Sequence, residues 1–208
     1  DFYKHNLHTG EVYDRYNFEL PDATIKKIFT HNAIQDRVYL VASSGWFGAL
    51  TLYKSDDNLS SLPTEIFSDW NFSSITKLLK AQEDDLTYWL VGSTGYNEED
   101  APTRVIHTRD GFETIEEISI TGNDEEIVRA IHTVNSSPGV LWAAANTNFT
   151  YGVFRSADYG QTWESRSIGL PEYVVVSDIA INPFNPNVLV AALSEGNGLY
   201  LTINGGES

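Results

Sequence analysis

The chain has 208 residues, of which 41% are hydrophobic, and this is enough for a folded domain with a sizeable core. Its 29 acidic and 13 basic residues give a formal net charge of −16, which disfavours nucleic acid as a partner. There is no cysteine, which excludes disulfides and thiolate metal sites, and no apolar run approaches the roughly 20 residues of a membrane-spanning helix.

The predicted elements begin with residues 1–22, which form a degenerate hairpin. Four pairs of short apolar runs follow, rich in Val, Leu and aromatic residues and bounded by Gly, Asn or Ser, a pattern that predicts buried strands. The pairs are 25–29 with 38–42, 75–79 with 88–92, 127–131 with 140–144, and 176–181 with 188–192. We name the first strand of each pair A and the second strand B.

Two further strands, C and D, follow each pair and flank a turn with a repeated motif. The fullest copy is SADYGQTW, residues 156–163. Its serine is the anchor, and the anchors Ser55, Thr108, Ser156 and Thr202 lie 53, 48 and 46 residues apart. Four strands in a unit of about 45 to 50 residues are typical of a β-propeller blade. We therefore predict an all-β propeller of four-stranded antiparallel blades.

Within the fullest copy, Ser156, Asp158, Gly160, Thr162 and Trp163 follow the pattern S/T-x-D-x-G-x-T-W. This pattern resembles the Asp box, or bacterial neuraminidase repeat, of sialidases, xyloglucan endoglucanases, sortilin-type receptors and photosystem assembly factors. The other copies match in part: Thr108, Asp110 and Thr114 with Gly111 displaced, Thr202, Asn204, Gly206 and Ser208 with Asn for Asp, and Ser55 and Asp57 with Leu59 for Gly. The resemblance covers roughly residues 25–208 and implies a fold rather than a function.

The motif has a physical explanation as a C–D hairpin turn. Hydroxyl and carboxylate oxygens can bind backbone N–H groups of the turn, and glycine supplies a positive φ. Trp163 is expected to pack on the edge of the blade. In the proteins that the motif resembles, the box lies on the face away from the ligand. We therefore predict a structural role for these residues.

The predicted blades span residues 23–70, 71–121, 122–170 and, incompletely, 171–208, and 1–22 would end a preceding blade. Two arrangements remain open. The hairpin of 1–22 completes the last blade and closes a small ring, or the chain is a processed piece of a larger propeller. The resemblance favours the larger propeller. Further blades of the same parent protein would then cover the apolar end faces.

The B–C and D–A loops should share one end of the blades, where loops on a rigid scaffold commonly bind ligands. The B–C loops carry aromatic residues that could stack on sugars, anchor a protein, or merely plug the tops of the blades: Trp46, Phe47, Tyr96, Phe149 and Tyr151. The second loop also carries the acidic run 98–100. Glycosidase chemistry would require two carboxylates at a set separation.

The third residues of the A strands are Lys27, Lys77, Arg129 and Asp178, so three cations are predicted at equivalent positions. Strand A is innermost in a propeller, and a cationic cluster there would suit a carboxylate or sulfate group of a ligand. The alternative is that each cation pairs with a neighbouring acid. The five histidines show no zinc-like spacing, and we expect neither a metal nor a cofactor.

These features favour a non-catalytic scaffold that binds a glycan or a protein. The alternative is part of a glycoside hydrolase of the sialidase or xyloglucanase type. The F/Y-R-I-P segment and the arginine triad that a sialidase resemblance implies cannot be mapped onto this chain. We expect a secreted, cell-surface or periplasmic location, in keeping with four N-x-S/T sequons at Asn58, Asn71, Asn135 and Asn148.

Overall fold

The computed structural model describes residues 2–5, 12–16, 23–30, 36–44, 49–81, 83–94, 101–134 and 136–207. The chain divides into two compact units, Asp1–Phe72 and Ser73–Ser208. Every helix or strand in the described ranges is a β-strand. The prediction of an all-β protein is therefore confirmed.

The first unit contains an antiparallel pair and one antiparallel sheet. The pair joins the first two strands, and the sheet joins the next four in chain order. The strands are β1 (Phe2–His5), β2 (Val12–Tyr16), β3 (Ala23–Thr30), β4 (Val38–Ser44), β5 (Leu50–Ser55) and β6 (Thr64–Asp69).

The second unit contains three antiparallel sheets, again in chain order. Their strands are β7 (Ser74–Lys80), β8 (Tyr88–Ser93), β9 (Thr103–Thr108), β10 (Glu116–Ile118), β11 (Ile127–Thr133), β12 (Leu141–Asn146), β13 (Tyr151–Ser156), β14 (Glu164–Ser165), β15 (Val176–Ile181), β16 (Leu189–Leu193) and β17 (Leu199–Thr202). We name β3–β6, β7–β10, β11–β14 and β15–β17 blades 1 to 4. The first three have the predicted four strands, and blade 4 has three among the described residues.

The B strands of blades 2 and 3 are buried along their whole length. Both faces are covered, which explains why their sequences are continuous apolar runs and do not alternate with polar residues. Between these blades, Val105 and Ile118 pack with Val128 and Ile131. A second core, between blades 3 and 4, includes Val153, Ile179 and Leu189. Each large apolar side chain buried in this way contributes about 1.5–3 kcal/mol.

The four C–D turns share one hydrogen-bond pattern. In each turn the anchor hydroxyl donates to a side-chain oxygen two residues later at 2.8 Å. The same hydroxyl accepts the backbone N–H four residues later, at 2.8 to 3.0 Å. Asn204 fills the carboxylate position of the last turn with its amide oxygen. The weak sequence match at Ser55 therefore has the same local geometry as the full match at Ser156.

The residue four positions after each anchor adopts a left-handed backbone conformation. Its φ is 64° at Leu59, 77° at Phe112, 88° at Gly160 and 71° at Gly206. A positive φ is unfavourable for residues with a Cβ, so Leu59 and Phe112 carry strain that the two glycines avoid. Gly111 does not replace the missing glycine of its turn, because Phe112 itself occupies the strained position.

A second set of bonds ties each C–D turn to the A–B turn of its own blade. The N–H three residues after the anchor donates to an A–B carbonyl at 2.8 to 2.9 Å, in the pairs Asn58–Asp36, Gly111–Leu86, Tyr159–Gly139 and Gly205–Asn187. We call this end of each blade the turn end. At the opposite end, the loop end, Ser194 N–H binds Val175 O at 2.9 Å, so B–C and D–A segments meet there.

Each A strand contains a β-bulge, and the bulge corrects the predicted alignment of the basic residues. The register skips Lys26, Thr76, Arg129 and Ser177 in the four blades. Lys27, Lys77 and Asp178 follow their bulges, whereas Arg129 is itself the bulged residue. The prediction that Arg129 is equivalent to Lys27 and Lys77 is wrong by one position. The bulge follows the second residue of the apolar run, Val128, in blade 3, but the first residue, Ile25 or Ile75, in blades 1 and 2.

Strand β17 forms the edge of blade 4 and exposes apolar side chains. Leu199 is 74% exposed, whereas Val153, at the same position relative to its anchor in blade 3, is 1% exposed. Leu201 and Ile203 are also exposed. The expectation that further blades of a longer protein cover such a face stays a prediction.

Candidate functional site

The loop end of blades 3 and 4 contains a cleft with an aromatic lining, which we call the aromatic cleft. Its volume is about 350 Å³. One wall is the segment Phe149–Gly152, and the other is formed by Ser167 and the segment Leu170–Val174. The cleft therefore brings a B–C loop next to the D–A segment that follows it, as expected for the loop end of a propeller.

A tight turn presents Phe149 at the rim of the aromatic cleft. The Thr147 hydroxyl accepts hydrogen bonds from Phe149 N–H at 3.1 Å and Thr150 N–H at 2.9 Å. Thr147 N–H donates to Thr150 O at 2.7 Å, which closes the turn. With its backbone fixed in this way, Phe149 leaves 88% of its surface exposed.

Tyr173 lies across the aromatic cleft from Phe149 and contacts Tyr151. The two tyrosine rings meet edge to face, with their centroids 6.3 Å apart and an interplanar angle of 76°. Tyr173 is 77% exposed and has a φ of 61°. A left-handed tyrosine costs about 1–2 kcal/mol. Strain at an exposed aromatic residue marks a position where function can outweigh stability.

Ser167 fixes the second wall of the aromatic cleft against strand β13. Its hydroxyl accepts Val153 N–H at 2.9 Å and donates to Val153 O at 3.1 Å. Gly152 makes this approach feasible, because a Cβ there would lie 2.0 Å from Ser167 Oγ. The close packing of Gly152 on Ser167 sets the spacing between the two aromatic walls.

The predicted aromatic residues are distributed unevenly over the described structure. Phe149 and Tyr151 lie together in the aromatic cleft, whereas Trp46, Phe47 and Tyr96 lie outside the described residues, as does the acidic run 98–100. Tyr173 was not predicted as a site residue. Its position in a D–A loop could have been found from the sequence, because the D–A and B–C loops are predicted at the same end.

A second cleft lies between the inner strands of blades 2 and 3, and we call it the basic cleft. It has a volume of about 240 Å³, and its lining includes Lys77 and Arg129. Lys77 Nζ donates to Ile131 O at 3.4 Å, and Arg129 Nε donates to Asn146 Oδ1 at 3.3 Å. The two predicted cations therefore reach one cleft despite their different positions around the bulge.

Lys27, the third predicted cation, belongs to the first unit. It is exposed, and its Nζ lies 5.3 Å from the centre of the Phe29 ring, a distance suited to a cation–π contact. The described structure thus assigns Lys27 a contact within its own strand.

His132 lies on strand β11, directly after Ile131, which lines the basic cleft. Burial lowers its pKa, the charge of Lys77 lowers the pKa further, and the carboxylate of Asp178 opposes both effects. Within the described residues, His132 Nε2 is buried without a hydrogen-bond partner. The imidazole is therefore neutral near pH 7, and the positive charge of the basic cleft comes from Lys77 and Arg129.

Metal-binding clusters and membrane-spanning helices are both absent from the described ranges. These ranges contain no cluster of three or more His, Cys, Asp or Glu side chains arranged to hold a metal ion. Nor do they include a helix of sufficient length and apolar character to cross a bilayer.

Comparison with known proteins identifies the fold. No family model and no curated protein matches the chain. Among solved structures, the chain is similar to the GH74 xyloglucanase of Xanthomonas campestris, with 17% identity and a TM-score of 0.65 over 87% of this chain and 28% of that one. It is also similar to YCF48, solved with a D1 peptide bound, with 24% identity and a TM-score of 0.42 over 84% of this chain and 48% of that one.

The chain spans less than half the length of each of these two proteins. Together with the antiparallel sheets described above, the similarity to the xyloglucanase confirms the predicted β-propeller fold. At 17% identity it shows the fold alone.

Proposed function

We propose that this chain is a non-catalytic propeller scaffold whose aromatic cleft binds a glycan. The observation that carries the proposal is the edge-to-face pair of Tyr151 and the strained, exposed Tyr173, with Phe149 at the same cleft. We also infer that the four C–D turns are Asp boxes. The hydrogen bonds of the four anchor hydroxyls are internal to each blade, which leaves ligand binding to the loop end.

The energetics of the aromatic cleft favour a ligand with apolar faces. Fully burying one phenylalanine side chain contributes about 1.5–3 kcal/mol. Because Phe149 is 88% exposed, a ligand that covers its ring can still gain most of this free energy. A pyranose ring offers C–H faces to aromatic rings and hydroxyl groups at its edges. Aromatic residues with one polar end, such as Tyr151 and Tyr173, suit both parts of a sugar.

The size of the aromatic cleft favours a glycan over a folded protein. A specific protein interface typically buries about 800 Å² on each partner. A cleft of about 350 Å³ instead falls within the range of small-ligand sites. We therefore assign the cleft to a short stretch of saccharide.

The lining of the aromatic cleft also favours binding over hydrolysis. Glycoside hydrolysis requires two carboxyl groups about 5 to 9.5 Å apart. Among the described residues that line the cleft, Glu172 is the only acid. The alternative of a hydrolase segment would need a second carboxylate from outside this lining, and hydrolysis of a bound oligosaccharide by the chain itself would support it.

The test is calorimetric titration of the purified chain with a panel of oligosaccharides that includes cellohexaose and a xyloglucan heptasaccharide. We expect Phe149→Ala and Tyr173→Ala each to weaken the binding of a recognised glycan about tenfold, as the loss of about 1.4 kcal/mol would. Phe184→Ala is the matched control, because Phe184 is 90% exposed in the A–B turn of blade 4, at the turn end. Equal affinities for native protein and Phe149→Ala would contradict the proposal.

A further inference from the structure

We propose that the ligand is anionic, and that the basic cleft binds a carboxylate or sulfate group of the same saccharide that occupies the aromatic cleft. This inference rests on the proposed function and names its ligand class. It depends on the shape of the basic cleft, on the bulge that carries Arg129, and on the strand pairing that links the two clefts.

The basic cleft combines two cations from neighbouring blades with polar and apolar walls. Lys77 comes from blade 2 and reaches across to the backbone of blade 3 through Ile131 O. Arg129 comes from blade 3. Ser93 and Thr103 also line the cleft, with the Thr103 hydroxyl bonded to Glu126 O and Val128 N–H, and Val91 contributes apolar surface. A cavity of this kind matches an anionic group on a carbon ring, because charge and apolar surface are both present.

The bulge gives Arg129 a role that its counterparts in the second unit, Thr76 and Ser177, do not have. At the same position, Thr76 and Ser177 donate their hydroxyls back to the carbonyls of Val91 and Ala192, at 3.1 and 3.0 Å. These two short side chains therefore form hydrogen bonds within their own blades. Arg129 instead extends to Asn146, to which its Nε donates, and a guanidinium with five N–H donors is the side chain best suited to a carboxylate or sulfate group.

Strand pairing connects the basic cleft to the aromatic cleft. Asn146, the partner of Arg129, lies opposite Ile127 on one side and opposite Tyr151 on the other. Neighbouring strands are about 4.8 Å apart, so Tyr151 lies about 10 Å from strand β11, which carries Arg129. Both clefts belong to the loop end of the second unit. One oligosaccharide can therefore place a ring beside Tyr151 and an anionic substituent beside Arg129.

The two cations of the basic cleft are opposite in sign to the net charge of the whole chain. The formal net charge is −16, yet the basic cleft concentrates two cations. At 0.15 M salt the screening length is about 8 Å, so a bound anion interacts mainly with the charges next to it. In blade 4, Asp178 occupies the strand position that Lys77 has in blade 2, so within the second unit the junction of blades 3 and 4 lacks the equivalent cation.

The test compares three hexasaccharides by calorimetry at 0.15 M salt. Cellohexaose is neutral, hexagalacturonate carries carboxylates, and a κ-carrageenan hexasaccharide carries sulfates. We expect at least one anionic probe to bind about tenfold or more tightly than cellohexaose, and the probe that does so identifies the anionic group. Arg129→Gln and Lys77→Gln should each lower the affinity for that probe about tenfold and leave the affinity for cellohexaose unchanged.

Cations at the turn end serve as matched controls. Lys80 lies on the same strand as Lys77 and pairs with Asp85 at 3.0 Å, and Arg109 lies over the Tyr159 ring at 5.4 Å. Lys80→Gln and Arg109→Gln should leave the affinity for the anionic probe unchanged. If Arg129→Gln fails to fold, Lys77→Gln decides the result alone.

The outcomes separate the two proposals. If cellohexaose binds as tightly as both anionic probes, the anion site is overturned and the glycan-binding function survives. If the folded chain binds none of the three probes and no oligosaccharide of the wider panel, both proposals fail. An anionic preference that both Gln variants retain would overturn the assignment to the basic cleft.

Discussion

The turn end and the loop end of the blades differ in both their residues and their roles. At the turn end, four hydroxyl anchors form the same 2.8 Å bond and the same contact with an A–B turn, although their sequences differ. At the loop end, the segment around Phe149 and Tyr173 combines exposed rings with a strained backbone. The repeated end holds each blade together, whereas the variable end leaves side chains available to a ligand.

This difference shows how one blade serves two purposes. Polar groups at the turn end satisfy one another within a few residues, so a change there affects stability. Aromatic groups at the loop end contact few protein atoms, so a change there affects binding with a small effect on stability. Substitutions at the two ends should therefore separate these two properties.

Ser156→Ala, at the turn end, should cause the largest loss of stability. The buried Gly160 N–H would lose its acceptor at 2.8 Å, and Asp158 would lose a donor at 2.8 Å. An unsatisfied buried group costs about 1–3 kcal/mol, which urea unfolding would measure. Ser156→Thr is the control, since Thr108 and Thr202 serve as anchors elsewhere. Equal losses for the alanine and threonine variants would contradict this explanation.

A loss of stability of intermediate size is expected at acid pH. Hydrogen bonds from Ser61 and Thr114 lower the pKa values of Asp57 and Asp110. For Asp158, burial acts to raise the pKa, but hydrogen bonds from Thr162 and Ser156 outweigh it and lower the pKa. Because the folded pKa values lie below the unfolded ones, this stability is present above about pH 4 and is lost as the pH falls through the folded values.

The Asp158→Asn variant isolates that contribution. Asn204 already fills the same position in the last turn, so an amide is compatible with the geometry. We expect the free energy of unfolding to fall less steeply below pH 4 in the variant than in the native chain, as measured by urea titrations at about pH 7, 4 and 3. Identical pH dependence in both proteins would show that Asp158 has no part in acid unfolding.

The smallest change in stability is expected at Tyr173, where glycine should be more stable than alanine. In most exposed positions glycine is less stable than alanine, but at a φ of 61° glycine avoids the strain that alanine retains. We expect Tyr173→Gly to be about 1 kcal/mol more stable than Tyr173→Ala, while both variants lose glycan binding to the same extent. Thermal unfolding and calorimetry would measure the two properties, and a less stable glycine variant would refute the strain at this residue.

Local sequence signals were sufficient to predict the repeat and most of its strands. Apolar runs at regular spacing identify the A and B strands, and the hydroxyl anchors mark the C–D turns, because both signals lie within a few consecutive residues. Ser156 and Asp158 illustrate this, since their bond spans only two residues. The same signals placed Phe149 in a B–C loop, whereas Tyr151, predicted in the same loop, is the first residue of strand β13.

Features that depend on distant segments could be found only in the folded chain. The bulge that displaces Arg129 is set by its pairing with strand B, and the bond from Asn58 N–H to Asp36 O joins segments more than 20 residues apart. The contact of Tyr151 with Tyr173 joins residues separated by a strand and a long loop. Local propensity carries no information on such pairings, because they are fixed by which backbone groups and rings meet when the blades pack.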